Sequence, residues 1–142
     1  MTDTITLTAV YAAVKLVAYS AWCLVGLRAL RAAAAGLGSA LALGAIRWLI
    51  GLGFGIVIFF AAGSMNAGDA ARTYFLIYTP VRAVEWYLMA RIVSHNVRRS
   101  WSSDAAVPLP LWCVGGMLVS FLSDLLSPDG VQGRFCIGRC LC

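Results

Sequence analysis

Charge is what this chain has least of: 12% of its 142 residues are Asp, Glu, Lys or Arg, against about a quarter in an ordinary soluble domain. Hydrophobic residues make up 61%. A compact soluble domain of this length buries roughly two thirds of its surface, so this composition would leave wide apolar patches in water. Lipid as the solvent removes the difficulty. Histidine is nearly missing too, since His95 stands alone between Arg91 and Arg99 and reads as a solvated loop residue. One histidine excludes bis-histidine haem ligation and leaves no His/Glu pair at metal spacing, so neither a metal nor a cofactor is expected. No serine sits in a Gly-x-Ser-x-Gly elbow, which leaves Ser-His-Asp catalysis unsupported. There is no internal repeat. The amino-terminal stretch MTDTITLTAV lacks the basic region of a signal peptide and runs into a long apolar segment, so it reads as the start of a first membrane span.

What the chain does have is four apolar stretches, each of about the 20 residues needed to cross roughly 30 Å of hydrocarbon. They cover residues 5–27, 39–62, 73–92 and 106–126, with Arg47 and Trp48 as the point where the second could be cut short by an interface. The connectors between them are too short for a soluble domain. The fold class expected is therefore all-α: an integral membrane bundle of four transmembrane helices with short loops, filling residues 1–127, followed by a cysteine-containing tail over 128–142. The alanines of 31–35 favour helix and extend the first span or lie along the interface.

The formal charge is +5. Its basic residues lie between or inside the apolar runs instead of clustering on one polar face, which is a topology signal and excludes a nucleic-acid partner. Arg28 and Arg31 follow the first span and Arg91, Arg98 and Arg99 the third, whereas Arg72 beside Asp69 is all that lies between the second and third. The positive-inside rule then places both termini outside a cell (inner) membrane, with Trp22, Trp48, Trp101 and Trp112 near the inner boundary. Arg134 and Arg139 in the tail count against that orientation.

Ionisable groups inside the spans carry the most information, because a charge at the bilayer centre costs at least about 2.5–3.5 kcal/mol and something must offset it. Lys15, Arg47, Arg82 and Glu85 are such groups. Tyr11, Lys15, Tyr19 and Cys23 recur every four residues and form one stripe, and Tyr78, Arg82, Glu85 and Met89 form another; Tyr11, Tyr19 and Tyr78 read as the polar lining of the charged cluster. Arg82 and Glu85 are three apart and can pair within a helix, just after Pro80, which frees a carbonyl and permits a kink. A Lys15–Glu85 bridge between the first and third spans is the expected link. Asp124 reads as an interfacial acid at the outer end of the fourth span, with the alternative that it is the counter-charge for Lys15 or Arg82.

Gly51 and Gly55 make a GxxxG pair for close helix packing, and Cys113, Gly116, Ser120, Ser123 and Ser127 make a second small-residue seam. Cys23 and Cys113 read as buried small apolar residues. Cys136, Cys140 and Cys142 match no zinc or iron–sulfur spacing; an exported tail would pair them as disulfides, and an inverted topology would offer them for acylation. The function expected is that of a non-enzymatic polytopic membrane protein, an accessory or structural subunit whose partners are the lipid bilayer and other membrane subunits or itself. The alternative is a small channel or transporter for an ion or anionic solute using Lys15, Arg82 and Glu85. A third reading is an intramembrane lipid-modifying enzyme with Arg47 and Arg82 on phosphate and Glu85 as base.

Overall fold

The computed structural model describes residues 2–29, 35–62, 70–97 and 109–126, and within them the chain is entirely helical apart from short turns. Four helices follow one another: α1 (Thr2–Ala29), α2 (Leu37–Ala62), α3 (Ala70–Val97) and α4 (Leu109–Leu125). Two of them contain segments long and apolar enough to cross a membrane: Thr6–Ala29, with mean hydropathy 1.6, and Leu37–Ile58, with mean hydropathy 2.0.

The helices do not stop where the apolar stretches stop. α3 continues through Arg91, Ser94 and Asn96 to Val97, a stretch with no glycine or proline to end it. Pro80 lies inside α3 without ending it, at the cost of one hydrogen bond to the carbonyl of Leu76. α4 opens on Leu109-Pro110, where a proline loses nothing because first-turn N–H groups have no helical partner. Its 17 residues make it the shortest helix, about 25 Å long.

Around the bundle the order is α1, α2, α3, α4. α1 runs along α2 for much of its length and packs on α4 with its other side, while α3 packs on α4 and approaches α2 less closely. α1 and α3 therefore occupy opposite corners. Neighbours are antiparallel, as the levels of their contacts show: Tyr11 meets Asp124 while Trp22 meets Trp112, and Arg82 meets Asp124 while Trp86 meets Ser120.

Glycines set the closest approaches. A Cβ at Gly44 would collide with the backbone and hydroxyl of Ser20, so the crossing of α1 and α2 requires glycine there. Between α1 and α4 the chain uses a reciprocal pair. The indole N–H of Trp22 donates to the carbonyl of Trp112 at 3.1 Å, and that of Trp112 donates to the carbonyl of Trp22 at 3.3 Å. Gly26, one turn after Trp22, and Gly115, one turn after Trp112, lie under the partner's ring, where any side chain would block it.

The interior has two apolar clusters. The larger contains Tyr19, Cys23, Leu43, Trp86, Met89 and Trp112; the smaller contains Ile58, Tyr74 and Tyr78, with Phe121 against them. Along α3 the order is Tyr74 and Tyr78, then Arg82 and Glu85, then Trp86 and Met89. The charged residues thus form a layer between the two clusters.

Candidate functional site: a buried ion-pair network

All five ionisable residues singled out in the spans meet in this layer. Relative exposures are 0% for Arg47 and Glu85, 2% for Arg82, 6% for Lys15 and 7% for Asp124. Lys15 and Glu85 are the only lysine and the only glutamate in the chain, and both lie inside it.

Asp124 is the hub, and both its oxygens are saturated. Oδ1 meets Lys15 Nζ at 2.5 Å and accepts from Tyr11 at 3.0 Å. Oδ2 accepts from Arg82 Nη2 at 2.8 Å and from Tyr74 at 2.7 Å. Arg82 then continues the chain, donating through Nη1 to Glu85 Oε2 at 2.9 Å. The same Glu85 oxygen receives Arg47 Nη2 at 2.6 Å. In order, the network reads Lys15–Asp124–Arg82–Glu85–Arg47, and it ties together all four helices.

Arg47 is held on several sides at once. Its guanidinium lies against the rings of Tyr19 at 4.8 Å and Trp86 at 5.2 Å, so its faces are covered by aromatic π-systems, which attract a cation. Nη2 also donates to Ser120 Oγ at 3.2 Å, an oxygen that accepts from Trp86 Nε1 at 3.0 Å and donates back to the Gly116 carbonyl. Lys15 has a comparable contact with the Tyr11 ring, 4.7 Å from its centroid.

The expected Lys15–Glu85 bridge is corrected by this geometry. α1 and α3 stand diagonally across the bundle, and Asp124 on α4 lies between them, so Lys15 pairs with Asp124 while Glu85 turns to Arg47 on α2. Asp124 is accordingly a buried counter-charge, the alternative reading, and its interfacial reading falls. Arg47 sits in the cluster and not at a helix end.

Tyr11 and Tyr19 line the network, and the Tyr78 ring lies 5.7 Å from the Arg82 guanidinium. Tyr74, not among the residues singled out above, lies one turn before Tyr78 on the same stripe and supplies the hydrogen bond to Asp124. Gly116 and Ser120 serve packing inside the chain: Gly116 accommodates the Trp86 ring, and Ser120 joins the polar network, with the Ser123 hydroxyl donating to its carbonyl. Gly55 is buried. Gly51 faces side chains and not a neighbouring backbone: a Cβ there would lie 3.1 Å from Arg47 Nη1, 3.6 Å from Glu85 Oε1 and 3.8 Å from Arg82 Nη1. The reciprocal tryptophans and Gly26 were also missed, and a glycine one turn after a tryptophan is the signal that could have found them. Cys23 is buried and Cys113 half-buried, while Cys136, Cys140, Cys142 and Trp101 lie outside the described residues.

Two features define what the site can do. Among the described residues three cations face two carboxylates, so this part of the buried layer carries one positive charge more than it balances internally. Among the described residues, Arg47 Nη1 and Glu85 Oε1 beside Gly51 have no hydrogen-bond partner, and neither do Arg47 Nε and Arg82 Nε. Buried polar atoms are normally satisfied, and unpaired ones mark strain or a place where something polar binds. Comparison with family models, characterised proteins and solved structures finds no match for this chain.

Proposed function

We propose that this chain is a polytopic membrane protein whose four helices cross the bilayer and hold a small anion-binding centre at the buried network, so that it works as a small anion channel or transporter. Support for the membrane setting comes from the outer surface. Val17, Leu49, Phe60, Leu76, Leu111 and Leu122 are exposed on four different helices while Lys15, Arg47, Arg82, Glu85 and Asp124 are inside, the reverse of a soluble bundle. The observation that carries the anion reading is the excess of one buried positive charge together with guanidinium N–H groups that lack an acceptor. A buried net charge is costly unless compensated, and an anion docking on Arg47 beside Gly51 supplies both the charge and the acceptor. No acid, base and nucleophile arrangement in the layer favours a lipid-modifying enzyme over this.

The test is flux through liposomes reconstituted with the purified chain. Small monovalent anions such as chloride or nitrate should cross faster than in protein-free vesicles, and potassium should not. Gly51→Val, which puts a side chain against Arg47 Nη1 without removing any charge, should reduce that flux while the protein still unfolds cooperatively. Cation flux in place of anion flux, or anion flux indifferent to Gly51→Val, would defeat the reading.

A second reading keeps the accessory-subunit role, and one observation favours it. α2 presents Leu49, Gly53, Ile56 and Phe60 outward as a continuous stripe, and a Cβ at Gly53 would meet nothing within 4 Å. Such a face suits a second membrane helix. Purification only as part of a complex, with no flux from the chain alone, would select it.

A further inference from the structure

Between α3 and α4, on the outer side of the bundle, lies a groove of about 510 Å³, open to the outside. Its walls include Ala83 and Ala90 from α3 and Cys113 and Met117 from α4, and one end carries Arg91 and Ser94. The volume falls within the range of about 300–1,000 Å³ typical of sites that hold a ligand of drug size. From Ala83 to Ser94 it runs about 16 Å along the helix axis. We propose that this groove holds one acyl chain of an anionic phospholipid, with the lipid phosphate on Arg91. The proposal rests on the membrane reading above but is independent of the anion centre.

Charge decides among the occupants. Arg91 is exposed at the polar end of an otherwise apolar slot, and the Ser94 hydroxyl, donating to the Arg91 carbonyl, offers its oxygen there. Beyond them the sequence adds Arg98 and Arg99 against one acid, Asp104. The chain's own connector 98–108 laid into the groove would bring those arginines toward Arg91. A second copy packed face to face would bring another Arg91. Both meet like charge, whereas an anionic headgroup meets its complement, and basic pockets between helices bind such headgroups.

Native mass spectrometry of the full chain, released from nanodiscs of phosphatidylcholine mixed with phosphatidylglycerol, tests this. The expected result is one tightly retained lipid, enriched in phosphatidylglycerol over the bulk mixture. Arg91→Gln should lower that enrichment about fivefold, the equivalent of the ~1 kcal/mol one basic residue contributes near a membrane surface. Ala83→Leu, which narrows the slot at an exposed position, should remove retention of either lipid. Retention without preference for phosphatidylglycerol overturns the proposal, as does unchanged preference in Arg91→Gln. So does a lipid-free monomer, the result if the connector fills the groove, or a lipid-free dimer. A chain that stays monomeric and folded in buffer without entering nanodiscs overturns the membrane reading, and the lipid with it; an inserted protein with no retained lipid overturns the lipid alone.

Discussion

Asp124 and Lys15 are partners, yet losing one is not equivalent to losing the other. Asp124 compensates two cations, so Asp124→Asn leaves Lys15 and Arg82 with a neutral amide and raises the buried excess from one positive charge to two. Breaking a buried pair in this way costs about 3–5 kcal/mol. Lys15→Met removes the excess, leaves Asp124 bonded to Arg82, Tyr74 and Tyr11, and keeps much of the side-chain volume. Its expected cost is below about 1.5 kcal/mol. Unfolding of both variants in detergent measures the difference, and equal costs would contradict the charge count. At the same scale, Trp22→Phe loses one indole N–H to the Trp112 carbonyl and should cost about 0.5–1.5 kcal/mol, with Trp112→Phe similar because the two bonds are reciprocal.

Helices here are positioned by small residues on chosen faces, and the glycines of α2 show the contrast. Gly44 sits where the backbone of α1 leaves no room, while Gly53 sits on an open surface. Gly44→Leu should therefore cost about 1–3 kcal/mol or more by forcing α1 and α2 apart. Gly53→Leu should be neutral or stabilise by up to about 1 kcal/mol, because leucine is the better helix former and meets no neighbour. Thermal unfolding of the two variants side by side checks this. A Gly53→Leu as harmful as Gly44→Leu would mean that the outer stripe of α2 is covered in the working assembly, the outcome the accessory-subunit reading expects. Gly51 is different again: its missing side chain leaves space for a guanidinium, so its GxxxG spacing reports a charged layer and not a helix contact.

For the whole molecule, the arrangement is a polar layer inside and an apolar surface outside. The bundle should accordingly need detergent or lipid to remain dispersed, and dilution below the critical micelle concentration should aggregate it. A soluble, folded monomer after detergent removal would refute the membrane proposal. The network Lys15–Asp124–Arg82–Glu85–Arg47 joins α1 to α4, α4 to α3 and α3 to α2, so parting the helices at any of these three contacts breaks a buried pair.

The sequence by itself determined the helical class, the approximate position of each helix and the list of embedded charges, because apolar run length and the cost of burying an ion are local properties. Stripes at three- and four-residue spacing likewise indicated which side of a helix faced inward. The partners were decided only by the tertiary structure. Lys15 and Glu85 have matching signs for a bridge, but the circular order of the helices sets α1 and α3 on opposite corners and brings Asp124 between them. Spacing along one helix cannot encode which helix stands beside it. The same limit hid the exchange of hydrogen bonds between Trp22 and Trp112, residues separated by 90 positions, and the approach of Arg47, Glu85 and Arg82 to Gly51.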